Sequence, residues 1–164
     1  MSKFEDVLQN IVLRQAVDGN PYDRILVVSA YNNVTNWLLE HKKTGEPGVY
    51  DLFRRGENYK QALQDLLEKL LAINAGFASI GLDQEVAAGF IRQRIEQSKQ
   101  YLTSLDEVMA SGYVNQQNIL LAAREILASI GEAHSAFNSV HILRSAGIQA
   151  SFVDLCGFHD TAYL

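Results

Sequence analysis

Apolar residues in this chain follow two kinds of pattern. At the start, Phe4, Val7, Leu8, Ile11 and Val12 recur at spacings of three and four, which predicts an amphipathic helix over residues 3–17. The turn cluster Asp18, Gly19, Asn20, Pro21 ends it and leads into Arg24, Ile25, Leu26, Val27, Val28, Ser29. That run is short, apolar without alternation and rich in β-branched residues, so it predicts a strand buried on both faces. A polar loop over residues 31–36 follows, and Trp37, Leu38, Leu39 and Glu40 open a helix. Residues 42–49, with Gly45, Pro47 and Gly48, form a connection that no helix or strand would carry through.

Three long helical stripes come next, with no strand between them. The first is Tyr59, Leu63, Leu66, Leu70 and Ile73; the second is Ala87, Ile91, Ile95, Leu102, Leu105 and Met109; the third begins at Ile119, Ala123, Ile126 and Leu127. Asp83 stands where it caps the second, and Gly112 stands where a helix stop is expected. The third stripe runs on through Ala133, Phe137, Val140 and Leu143 to Gly147, before residues 150–154, Ala-Ser-Phe-Val-Asp, read as a second short strand. Strand, loop, helix and then helix, strand is the α/β order, here with a large helical portion. Two strands are too few for a stable sheet of their own. In open α/β sheets ligands gather at the carboxyl ends of strands, so the loop after Ser29 is the first place to look for a site.

Composition narrows the class. With 164 residues, 48% hydrophobic and 20% charged, the chain reads as one globular domain or one large piece of one. A net charge of −5, without any run of Lys and Arg, argues against nucleic acid as a partner. No stretch approaches the length of apolar residues that would span a membrane. The single Cys156 cannot form an intrachain disulfide and no secretory leader pattern opens the chain, so a cytoplasmic setting is expected.

Few residues stand out chemically. The loop offers hydroxyls at Ser29 and Thr35 and amides at Asn32, Asn33 and Asn36; with the backbone N–H groups of the following helix these suit an anionic ligand, or they merely shape a turn and a cap. Gly131 interrupts a helical stripe at a cost of about 1 kcal/mol relative to alanine, and Glu132 follows it. Either Gly131 admits a ligand whose cationic group Glu132 receives, or it is a packing glycine beside a surface glutamate. His134 and His141, two helical turns apart, do not suit one metal ion, and Ser135 beside His134 cannot act as a nucleophile with its base. No Walker glycine loop, dinucleotide fingerprint, zinc-protease motif or nucleophile elbow is present.

Val27-Val28-Ser29-Ala30 followed by Val34-Thr35-Asn36 resembles the aspartokinase segment in which a strand ending in Val-Ser-Ala runs into a loop ending in Thr-Asn. Ser129-Ile130-Gly131-Glu132, with small Ser135 three positions on, resembles that family's second signature, and residues 147–154 resemble the strand after it. Order and separation agree, and the resemblance covers essentially the whole chain. The wording of residues 41–50 and 131–138 looks closest to aspartokinases that accompany ectoine biosynthesis.

The resemblance implies the amino-acid-kinase (carbamate-kinase-like) fold, a three-layer α/β/α sandwich, of which residues 1–164 would be part of a single catalytic domain. It implies transfer of the γ-phosphoryl group of ATP to the side-chain carboxylate of L-aspartate, with Mg²⁺. Ser29 and Thr35 would then line the aspartate and phosphate region, Ser29 and Ala30 would border the nucleotide, Glu132 would hold the aspartate ammonium group, and Ser129 and Gly131 would shape the backbone around it. The family's opening strand and Lys-x-Gly-Gly-Thr-Ser phosphate loop, its later nucleotide-binding part and its ACT domains have no counterpart here, so the chain alone is expected to be inactive and to self-associate, as a dimer for example. Asn33 stands where the family commonly has glycine, and Cys156 where it often has threonine. A non-catalytic aspartate-binding module and a purely structural helical scaffold are the competing readings.

Overall fold

The structure, a computed structural model, describes residues 6–13 and 24–155. Phe4, the turn at residues 18–21, and the tail from Cys156 onward lie outside the described residues. Five α-helices dominate: α1 Val34–Leu38, α2 Val49–Arg54, α3 Tyr59–Ala75, α4 Gln84–Ser111 and α5 Gln116–Ser145. A π-type helical turn, Leu8–Leu13, precedes them, within the segment expected to be helical.

The three long helices form where the apolar stripes predict. Tyr59, Leu63, Leu66 and Leu70 of α3, Ala87, Ile91, Ile95 and Leu102 of α4, and Ile119, Ala123, Leu127 and Ile130 of α5 are all buried. Each large aliphatic side chain among them contributes about 1.5–3 kcal/mol by leaving water. Their ends are set by local chemistry. The Asp83 carboxylate accepts hydrogen bonds from the Glu85 and Val86 amides at 3.0 and 3.1 Å, and Gly112 closes α4 in the left-handed conformation, φ 74°. The Asn58 and Asn115 side chains cap α3 and α5 in the same way. Helix α4 packs against both α3 and α5.

Helices α1 and α2 pack against this layer, and Val34, Leu38, Val49 and Phe53 carry them into the same core. The breaker-rich connection between them folds back on itself: His41 N–H donates to the Glu46 carbonyl at 2.9 Å and Gly48 N–H to the Leu39 carbonyl at 3.2 Å. Gly48 is required there by contact rather than by dihedral angle, because a β-carbon would lie 2.6 Å from the Leu39 carbonyl. Sequence periodicity missed α2, which is too short to show a stripe.

The two expected strands are the main departure. Residues 24–29 and 150–154 lie in no helix and no strand, and among the described residues no strand ladder forms; the only pairing is an isolated bridge between Glu40 and Pro47. Residues 24–29, expected to be buried on both faces, leave Ile25 and Val27 93% and 92% exposed. The apolar run that reads as a buried strand needs neighbouring strands to accept its N–H and C=O groups and cover its faces, and the described residues supply none. What is described is therefore a helical layer flanked in sequence by two apolar segments without regular secondary structure. No described helix is long and apolar enough to cross a membrane.

Candidate functional site

The two segments singled out by sequence lie about a hundred residues apart in the chain and meet in the fold. The Ser135 hydroxyl on α5 donates to the Ser29 carbonyl at 2.7 Å. Beside it, a β-carbon on Gly131 would fall 2.7 Å from the Ala30 β-carbon and 3.2 Å from Val34 Cγ1. Gly131 is thus a point of close approach between α5, the loop and α1. The helix runs on through it without a break, so the glycine removes a side chain rather than bending the backbone.

Around that contact the predicted residues divide. Ser29, Thr35 and Glu132 are exposed, Ala30 is half-buried against the core, and Val34 between them is fully buried. The Ser129 hydroxyl, half-buried, donates to the Ile126 carbonyl of its own helix at 2.8 Å. Glu132 directs its carboxylate to water one residue beyond the packing glycine. Asn33 adopts φ 66°, the left-handed conformation that asparagine tolerates better than most residues, and its carbonyl accepts from Trp37 N–H at 3.0 Å to start α1. Its side chain makes no cap hydrogen bond. Helix α1 is only five residues long, so its dipole supplies little of the positive field a longer helix would offer an anion.

Beneath the loop lies a buried polar cluster that sequence reading did not pick out. Asn74 of α3 and His134 and Asn138 of α5 are at most 1% exposed. Asn74 Oδ1 accepts from Asn138 Nδ2 at 2.8 Å and lies 2.6 Å from His134 Nε2. An amide oxygen can only accept, so the imidazole proton is assigned to Nε2. Burial holds the His134 pKa down at about 4, and the ring is neutral at physiological pH. Tyr31, two residues after Ser29, sets its ring edge-on to His134 at 5.4 Å and against Phe77 at 5.2 Å. Burial pushes its phenol up to about 12, outweighing a weak downward pull from the Asn138 side chain. The cluster therefore seats the start of the loop on the helical layer. The signal was in the sequence: Asn74 continues the stripe Tyr59, Leu63, Leu66, Leu70, and His134 and Asn138 continue Leu127, Ile130, so both stripes place polar groups in a buried phase. His134 is a core residue rather than a surface one, and among the described residues no group of three His, Cys, Asp or Glu side chains is placed to hold a metal ion.

No family model matches the chain, and no solved structure matches it. Among curated proteins it is similar to Aspartate kinase Ask_Ect of Stutzerimonas stutzeri (strain A1501), with 43% identity over 167 aligned residues. The match takes in the whole of this chain and 35% of that protein, so the chain spans about a third of its relative's length. Along its whole length the chain is thus similar to about a third of an aspartate kinase.

Proposed function

We propose that this chain is the part of an aspartate kinase catalytic domain that receives L-aspartate, of the type accompanying ectoine biosynthesis. In the whole enzyme the γ-phosphoryl group of ATP would pass to the side-chain carboxylate of L-aspartate. The observation that carries the reading is the meeting of the two signature segments, with Ser135 bonded to the Ser29 carbonyl and Gly131 against Ala30. The contact sets exposed Ser29, Thr35 and Glu132 on the segments that meet there. Hydroxyls at residues 29 and 35 suit carboxylate or phosphoryl oxygens. The Glu132 carboxylate suits the ammonium group, a charge-assisted bond that separates an amino acid from a plain dicarboxylate. In the complete domain, residues 24–29 and 150–154 would be strands of an α/β/α sandwich, which their exposed apolar side chains support.

Phosphoryl transfer depends on positive charge held at the phosphates. Residues 29–36 contain no Lys or Arg, and no described acidic cluster is placed to hold Mg²⁺. This stretch does not by itself fit a magnesium-bound triphosphate, and the chain alone is proposed to bind aspartate without turning it over.

Calorimetry with L-aspartate and with succinate, which lacks the ammonium group, tests the reading. Wild type should prefer L-aspartate by about tenfold or more, as expected for one hydrogen bond to a charged group, and Glu132→Gln should erase the preference. Equal affinity for the two acids, or an unchanged preference in Glu132→Gln, would sink it. Trapping acyl phosphate with hydroxylamine in the presence of ATP and Mg²⁺ should give no product; formation of β-aspartyl hydroxamate would show that the chain is catalytically sufficient.

A further inference from the structure

A cleft of about 310 Å³ opens beside Thr35, between α1, the folded-back connection, α2 and α5. Thr35, Glu40, Lys42, Tyr50, Arg54 and Arg124 line it. Three cations around one small cleft are out of keeping with a chain of net charge −5, and they come from three separate elements: Lys42 from the connection, Arg54 from the last turn of α2, Arg124 from α5.

Their charge is incompletely balanced. Arg54 and Arg55 both pair with the single carboxylate of Asp51, which is 1% exposed. The hydrogen bond from Arg54, above all, holds the Asp51 carboxyl below the usual carboxylate range. That trio carries a surplus positive charge, and its buried carboxylate fixes Arg54 at the rim. Lys42 has no ion-pair partner among the described residues. Arg124 lies 3.5 Å from its neighbour Glu125, with both side chains about half exposed or more, and such a surface pair is worth too little to hold the guanidinium against a competing anion. Glu40 is the one carboxylate in the lining, and it subtracts from the field without cancelling it.

We infer that this cleft is a binding site for a small dianion bearing phosphate or carboxylate groups, held by Lys42, Arg54 and Arg124, with the Thr35 hydroxyl as a further donor. A volume of about 310 Å³ admits a ligand the size of pyrophosphate or a short dicarboxylate and is small for a whole nucleotide. Planar guanidinium groups suit both anions through paired N–H donors, and Lys42 adds a point charge. The cleft shares Thr35 with the aspartate reading, but the inference does not rest on that reading, because Glu132 takes no part in it and the cations here take no part in selecting an ammonium group.

Titration of the whole chain with pyrophosphate and with malonate, followed by calorimetry and amide chemical shifts, distinguishes the two sources of charge. At least one should bind in the millimolar range or tighter at low salt, shifting the amides of residues 35, 42 and 54, with affinity falling as salt is raised. Arg124→Gln and Lys42→Gln, both at exposed positions, should each weaken binding by about tenfold, whereas Glu40→Gln should tighten it severalfold. Lys43→Gln changes net charge as Lys42→Gln does but lies outside the lining, and should leave affinity within about twofold. If neither anion binds, or if Lys43→Gln weakens binding as much as Lys42→Gln and Arg124→Gln do, the site does not exist. A Glu40→Gln variant that binds no more tightly than wild type would also overturn it.

Discussion

At the scale of single residues, the most consequential side chain is one the sequence marks only faintly. His134 is fully buried with a pKa of about 4, against about 6.5 in an unfolded chain. The folded state therefore binds fewer protons than the unfolded state between those values, and stability falls as pH falls through that window. A neutral His134 contributes stability that is fully present above about pH 6.5; for a shift of this size, on the order of 2 kcal/mol is lost between pH 7 and 5. Urea denaturation at the two pH values should show this loss in wild type and a smaller one in His134→Gln, which keeps a polar group near Asn74 but cannot titrate. An identical pH dependence in the variant would mean that His134 is not the group responsible. Glu132, one helical position from the packing glycine, shows the opposite situation: its significance is carried by the motif, since an exposed glutamate on a helix has no structural signature of its own.

At the scale of elements, the close approach of α5 to α1 and the loop depends on the missing side chain at Gly131. Gly131→Ala would gain about 1 kcal/mol of helix propensity. The new β-carbon, however, would lie 2.7 Å from that of Ala30 and 3.2 Å from Val34 Cγ1, and overpacking of that kind costs about 1–3 kcal/mol. Backbone and β-carbon atoms cannot swing aside as a long side chain could, so the steric term should win, leaving the variant destabilised by about 1 kcal/mol, with Ser29 amide shifts perturbed. A variant as stable as wild type, with those shifts unchanged, would show that the loop is not held against α5 as described. The same elements show what sequence makes legible. The stripes on α3, α4 and α5, the Asp83 cap and the Gly112 stop are local rules satisfied within a few turns, and all could be read directly. Helix α2 was too short to show a stripe, and although Asn74 and Asn138 fall in the buried phase of their stripes, the stripes do not reveal that the two amides pair with each other across helices. Residues 24–29 and 150–154 carry a strand's composition without a strand's partners, because a ladder is a property of several segments at once. The candidate site was legible through its two motifs, whereas the cleft lined by Lys42, Arg54 and Arg124 gathers residues from three elements with no common motif.

At the scale of the whole molecule, apolar surface remains uncovered. Ile25, Val27, Val153 and Leu155 are 70% exposed or more, and Leu26 adds to them, all within residues 24–29 and 150–155, which are in no helix or strand but are anchored to the helical layer. Ser29 is tied to α5 through Ser135, Phe152 stacks edge-on against Phe90 and Phe137, and Asp154 pairs with the buried guanidinium of Arg94. Anchored segments with exposed apolar side chains offer a surface on which another apolar segment can pack. In isolation the chain is accordingly expected to self-associate. Sedimentation equilibrium across micromolar concentrations should show a dimer or larger species that dissociates on dilution, and Val27→Lys, which places a charge on the exposed segment away from the core, should shift the equilibrium toward monomer by about tenfold or more. Because Val27 is 92% exposed, that substitution should leave the urea midpoint of the monomer nearly unchanged, which separates loss of association from loss of folding. A wild-type chain that stays monomeric throughout, or a Val27→Lys variant that associates as strongly, would show that these segments do not recruit a second copy and that their apolar side chains are tolerated in water.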